Sequence, residues 1–120
     1  KLVNVTKLIL QSNNNLDTLR EEVTKLGYQL TDEITVNDNN IWYVICLFKK
    51  NENPKLDDIT RKYGLLKKDK QDYYEYIINS KKDILKKLEK SHDLTLKEQL
   101  KTEIMELTKL LEKCRIISTD

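Results

Sequence analysis

Two amide side chains, Gln11 and Asn13, follow directly on a short apolar run, Thr6 to Leu10. A run of that length bounded by polar residues reads as a buried strand. Open α/β sheets bind ligands beyond the carboxyl ends of their strands, and an amide there both donates and accepts hydrogen bonds. The plainer structural reading is that Asn13 to Asn15 only cap the helix that follows. A second group is basic. Lys67, Lys68, Lys70, Lys81, Lys82, Lys86 and Lys87 are candidates for phosphate contact, against the background that most surface lysines are simply solvated. Tyr73, Tyr74 and Tyr76 have rings that can stack on bases, although Tyr73 also fits a helix seam. Trp42 reads as core. His92, the single histidine, has no partner set for nucleophilic catalysis and reads as a turn residue. Cys46 and Cys114 lie far apart in apolar patterns. They read as buried thiols of a reducing cytoplasm, not as a disulfide or a metal site.

These residues sit in a chain of 120 residues, 35% charged and 38% hydrophobic. That is enough for one modest domain with a core. Two glycines and one proline exclude collagen-like and low-complexity classes. The longest apolar run, Ile41 to Phe48, is too short to span a bilayer. No signal-like leader is visible at the first residues, so cytoplasmic residence is expected. The chain contains no Ala and many Lys and Asn. This skew resembles that of an AT-rich coding genome and weakens high Lys as evidence of nucleic-acid binding. Net charge is +2, yet residues 1–60 carry 7 basic and 9 acidic side chains while residues 61–120 carry 15 and 11. The positive charge lies in the second half.

The pattern predicts the elements that position these groups. After the strand, Leu16, Leu19, Val23 and Leu26 form one helical stripe, capped by Asn14 or Asn15 and ended by Gly27. A hairpin follows. Tyr28, Leu30, Ile34 and Val36 alternate on one face, Asp38-Asn39-Asn40 supplies the turn, and Ile41 to Phe48 returns as a strand buried within a sheet. Asn51 to Pro54 opens a linker in which Asn53 caps a short helix ended by Gly64. Tyr73, Ile77, Ile84 and Leu88 then form a stripe that Lys81 interrupts. Thr95 and Glu98 make a capping box. Leu100, Ile104, Leu107, Leu111 and Cys114 step by 4 and 3, a coiled-coil seam. The expected division is residues 1–50 as a sheet domain, 51–68 as a linker with a short helix, and 69–117 as an antiparallel coiled-coil helical hairpin.

The order strand, loop, helix, hairpin resembles the end of a class I Rossmann-like methyltransferase domain, in which the last strand is antiparallel and inserts between its two predecessors. The expected fold class is therefore α/β: the C-terminal part of such a sheet followed by the helical hairpin. Particular residues carry the likeness further. Leu8-Ile9-Leu10-Gln11-Ser12-Asn13, Leu19-Arg20, Gly27-Tyr28 with Asp32-Glu33, and Tyr63-Gly64-Leu65-Leu66 before a charged helical hairpin are similar, as an ordered set, to the bacterial tRNA (adenine(22)-N1)-methyltransferases, the TrmK family. The likeness runs from about Val5 to Arg115. The chain departs from the family at Ser12, where Pro is usual, and is shortened around Tyr63 to Leu66.

The resemblance implies methyl transfer from S-adenosyl-L-methionine to N1 of an adenine in tRNA, with the cofactor held mainly by residues upstream of this chain. It implies tRNA as partner. The chain has no Gly-rich turn, so the piece alone is expected to be inactive, and a monomer with an intramolecular helical hairpin, without membrane or metal, is expected. Adenine N1 lies on the Watson–Crick edge, so the base must be unpaired or extruded. The N1 lone pair is itself the nucleophile, so orientation and electrostatics matter more than a strong base. By the resemblance, Gln11 and Asn13 are substrate-binding residues, an amide carbonyl accepting from the adenine amino group. Without the resemblance, the seam would favour a non-enzymatic coiled-coil interaction module.

Overall fold

The computed structural model describes residues 5–118. Three strands, β1 (Lys7–Ser12), β2 (Tyr28–Asp38) and β3 (Ile41–Lys50), form one sheet in the order β1-β3-β2. β3 is antiparallel to both neighbours, so β1 and β2 run parallel. The connection between them is helix α1 (Leu16–Lys25). The near-continuous apolar strand thus takes the central place its sequence requires. The tight turn between β2 and β3 needs positive φ, which Asn39 (52°) and Asn40 (66°) adopt. Gly27, at φ 95°, ends α1 as expected.

Val44, Cys46 and Phe48 are buried on one sheet face with Tyr28, Leu30 and Val23. The expected alternation of β2 fails in its second half. The pairing slips between Leu30 and Asp32, and a bulge of one residue reverses which side chains face the core. Ile34 and Val36 therefore point outward, 42% and 40% exposed, and Glu33 points inward, fully buried. Its partner is Arg20 on α1, which is also buried and meets it with two bonds, Nε to Oε2 at 2.8 Å and Nη2 to Oε1 at 3.2 Å. The third guanidinium nitrogen donates to the carbonyls of Arg61 (3.0 Å) and Lys62 (3.4 Å).

Those carbonyls belong to the last turn of α2 (Asp58–Tyr63), where helix carbonyls lack intrahelical partners. Asp57, not Asn53, caps α2, its carboxylate accepting from Thr60 N–H at 2.7 Å. Asn53 instead donates its backbone N–H to the Asn51 side chain. Gly64 ends α2 at φ 81°. A Cβ there would overlap the Glu33 carboxylate and the Arg20 guanidinium, so glycine is required by conformation and by space. Asn15 occupies the cap position of α1, but at φ 50° and without a side-chain bond. Ser12 organises that turn, its hydroxyl donating to the Asn14 carbonyl at 2.6 Å.

The chain divides into two compact units after Leu65. The second is a helical pair, α3 (Gln71–Lys87) and α4 (Leu94–Ser118), preceded by a 3-10 turn at Lys68–Lys70. Ion pairs Glu75–Arg115 and Lys81–Glu103 link the helices in opposite sequence order, so they are antiparallel. On α4 Leu100, Leu107, Leu111 and Cys114 are buried and Ile104 half-buried, with Leu110 buried beside them. On α3 Tyr73, Tyr74 and Ile78 are buried and Ile77, Lys81, Leu85 and Leu88 half-buried, so the expected stripe holds at Tyr73, Ile77 and Leu88 and fails at Ile84. Ile84 is 47% exposed. Asp93, not Thr95, caps α4, accepting from Leu96 N–H at 3.0 Å. Both cysteines are free and buried. Burial pushes the Cys114 thiol above its ordinary pKa, and its Sγ donates to the Lys67 carbonyl at 3.2 Å.

Candidate functional site

The carboxyl ends of the parallel strands β1 and β2 lie beside the start of β3. Gln11 is the fifth residue of β1 and pairs with Ile45. Ile45 pairs on its other side with Ile34, and Tyr43 pairs with Val36. Side chains of directly opposed residues share a sheet face. On the face opposite the Arg20–Glu33 pair, Gln11, Val36, Asp38, Tyr43 and Ile45 accordingly line a depression of about 210 Å³. Its floor is aliphatic and aromatic, and Gln11 and Asp38 supply the polar groups.

Of the two amides singled out from sequence, Gln11 therefore belongs to a concave site at the strand end. Asn13 is exposed in the bend after β1 and is not among the lining residues. Sequence reading missed Asp38, Tyr43, Val36 and Ile45 as site residues. Asp38 was legible only as a turn residue. The signal that brings it to Gln11 is the register of the hairpin, which the turn at Asn39 and Asn40 fixes on this side of the bulge.

The expected basic surface is smaller than the lysine count suggests. Lys68, Lys82, Lys86 and Lys87 are exposed, and Lys67 is half-buried. Lys70 is fully buried, its ammonium 5.0 Å from the Tyr74 ring centre and 5.9 Å from that of Tyr73. It serves the packing of the helical unit and does not reach a phosphate. Lys81 is bound to Glu103 at 3.1 Å, so its charge is already partnered. Tyr73 and Tyr74 are buried and unavailable for stacking, whereas Tyr76 is 48% exposed. His92 is exposed between α3 and α4, as a turn residue would be. Among the described residues no group of three His, Cys, Asp or Glu side chains is placed to hold a metal ion. No helix there is long and apolar enough to cross a membrane.

The sequence profile of the family described as TrmK, tRNA (adenine(22)-N(1))-methyltransferase, matches residues 1–115. The chain belongs to this family. Solved structures agree in fold. Sp1610 of Streptococcus pneumoniae superposes with a TM-score of 0.79 at 22% identity, covering 92% of this chain and 51% of that one. TrmK of M. capricolum, solved with S-adenosyl-homocysteine, gives 0.72 at 18% identity over 92% and 53%. The B. subtilis m1A22 tRNA methyltransferase TrmK gives 0.68 at 18% over 88% and 51%. Among curated proteins none matches. The chain spans about half the length of these family structures.

Proposed function

We propose that this chain is the C-terminal portion of an S-adenosyl-L-methionine-dependent enzyme that methylates N1 of adenine 22 in tRNA. The observation that carries this reading is the family match over residues 1–115. The strand order β1-β3-β2, with an antiparallel strand inserted between two parallel ones, supports a Rossmann-like sheet. In this reading residues 1–50 complete the methyltransferase sheet, 51–68 form a linker with a short helix, and 69–117 are a coiled-coil hairpin. The enzyme works as a cytoplasmic monomer.

The described residues do not fit the cofactor by themselves. Close backbone approach to a nucleotide cofactor calls for glycines, and this chain has two. Gly27 ends α1, and Gly64 lies against Glu33 and Arg20. In this reading the part of the enzyme outside this chain holds the cofactor. This chain contributes Gln11 to the substrate side, with Asn13 in the adjoining bend, and exposed Lys68, Lys82, Lys86 and Lys87 to tRNA phosphates. Such contacts position the RNA and are blind to sequence.

Site-specific variants of the complete polypeptide test this. Replacing Lys82, Lys86 and Lys87 by Glu raises KM for tRNA and flattens its salt dependence. Gln11→Ala instead lowers kcat with a smaller effect on tRNA affinity. A complete polypeptide that leaves N1 of adenine 22 unmethylated, by mass spectrometry of tRNA nucleosides, overturns the reading.

A further inference from the structure

We infer that Arg20 is a positioning residue for tRNA: with Glu33 and Gln29 it pins the connector to the sheet unit, so that the lysines of the helical unit are carried on a short tether. The inference rests on the proposed function. It concerns a pair, Arg20 and Glu33, that is buried and touches no RNA. Residues 51–64 lack the freedom of a linker. The Asn51 N–H donates to the Gly27 carbonyl at 2.9 Å. The Gln29 amide grips the Lys55 backbone twice, donating to its carbonyl at 2.9 Å and accepting from its N–H at 2.8 Å. Arg20 Nη1 donates to the carbonyls of Arg61 and Lys62. Gly64 then passes so close to the Arg20–Glu33 pair that no Cβ fits.

The helical unit holds its own first residues. The division between the units falls between Leu65 and Leu66, and the Lys67 carbonyl accepts from the Cys114 thiol at 3.2 Å. The backbone from Gly64 to Lys67 therefore joins a residue packed in the sheet unit to one bonded in the helical unit, and it spans at most about 11 Å. A tRNA that meets the exposed lysines of one unit and the strand-end site of the other is held at two points. The second contact forms at an effective concentration set by the tether, which falls roughly as the −3/2 power of its length. Without Arg20 the nearest remaining side-chain pin is at Lys55. The tether from Lys55 to Lys67 is about four times as long in residues, which lowers the effective concentration about eightfold.

The test uses the complete polypeptide and full-length tRNA, with methylation kinetics and equilibrium tRNA binding measured over a salt series. Arg20→Met with Glu33→Leu should raise KM for tRNA about eightfold. It should leave kcat and the salt slope unchanged, because no phosphate contact is lost. Gln29→Ala, which leaves Arg20 in place, should raise KM by about twofold or less. Insertion of about nine Gly and Ser residues between Leu65 and Leu66 lengthens the tether equally without touching the pair, and should give the same rise. A KM for the insertion variant within about twofold of the parent overturns the inference. So does a double replacement that lowers kcat and leaves KM alone, since its remaining folded molecules then bind tRNA without the pin. Either result with adenine 22 still methylated overturns the tether alone. Binding of tRNA without methylation of adenine 22 overturns the functional reading alone, and weaker binding by the double replacement and the insertion still supports the tether.

Discussion

The sheet unit and the helical unit treat the ion pairs between their elements in opposite ways, although the helical unit also buries one ammonium, that of Lys70, against Tyr74. The first buries a complete ion pair, Arg20–Glu33, with both side chains at most 1% exposed. The second keeps its interhelical pairs nearer water. Lys81 and Glu103 are 24% and 22% exposed, and Arg115 and Glu75 are 55% and 47% exposed. The difference follows from what each unit lacks. Two antiparallel helices satisfy their backbone internally and need only an apolar seam. The sheet unit must also fasten a short helix, α2, whose terminal carbonyls have no partners of their own. The Arg20 guanidinium solves both problems, with two bonds to Glu33 and a third nitrogen on the α2 carbonyls. A buried pair of this kind is costly to break and of small net worth against a well-packed apolar replacement.

Breaking the buried pair should give the largest effect. Glu33→Gln leaves the Arg20 charge buried without a counter-charge and should cost about 3–5 kcal/mol. Denaturant unfolding followed by fluorescence of Trp42, the single tryptophan and a residue of β3, reads this directly. The double replacement Arg20→Met with Glu33→Leu should recover most of the loss. A cost below about 1 kcal/mol for Glu33→Gln would mean that the pair is not dry.

The helical unit should respond most to its seam. Leu107 is fully buried on α4, and Leu107→Ala should cost about 3 kcal/mol from lost burial and the cavity left behind. Far-UV circular dichroism during thermal unfolding measures it. If instead Lys81→Ala cost more than Leu107→Ala, the helical unit would depend on charge as the sheet unit does, and the contrast would fail.

The same contrast explains what could be read from sequence. Leu100 to Cys114 declared their seam because period 3.5 is a local property of the chain. On α3 the expected stripe is right at Tyr73, Ile77 and Leu88 and wrong at Ile84, because Tyr74 and Ile78 are buried beside it and turn the buried face by part of a residue step. Glu33 and Arg20 were legible only as parts of a family pattern, since a charge in a strand gives no sign of pointing inward. Ile34 and Val36 misled for a related reason. Their alternation is regular, but a bulge upstream changes which face it serves. In the candidate site, Gln11 was visible as a strand-end amide. Asp38 and Tyr43 join it through cross-strand register, which no single segment encodes.

A smaller effect within the sheet unit depends on pH. Asp57 caps α2, and its bonds from the Thr60 hydroxyl and Thr60 N–H hold its carboxyl below the ordinary aspartate value of 3.8. A depressed folded pKa contributes stability that is present above the unfolded value and lost as pH falls through the folded one. The α2 cap should therefore open below about pH 3.8, seen as loss of hydrogen-exchange protection at the Thr60 amide. Asp57→Ala should cost about 1 kcal/mol at neutral pH and abolish that pH response. Retention of the response in Asp57→Ala would assign it to another carboxylate.

The smallest effect is expected at Lys81, and it sharpens the contrast most. Lys81 occupies a seam position between Ile78 and Leu85, where a coiled-coil pattern places an apolar residue. Its four-carbon stem packs along the seam while its ammonium reaches Glu103 at 3.1 Å. The pair is about one quarter exposed on each side, so water screens the attraction and its net worth should not exceed about 1 kcal/mol. Lys81→Met keeps the stem and removes the charge. It should leave the thermal midpoint almost unchanged, because added apolar contact offsets the lost pair and Glu103 remains hydrated. A double-mutant cycle with Glu103→Gln should return a coupling of about 0.2–1 kcal/mol that shrinks with added salt. A coupling of several kcal/mol, insensitive to salt, would show this pair to be as dry as Arg20–Glu33, and the two units would then handle charge alike.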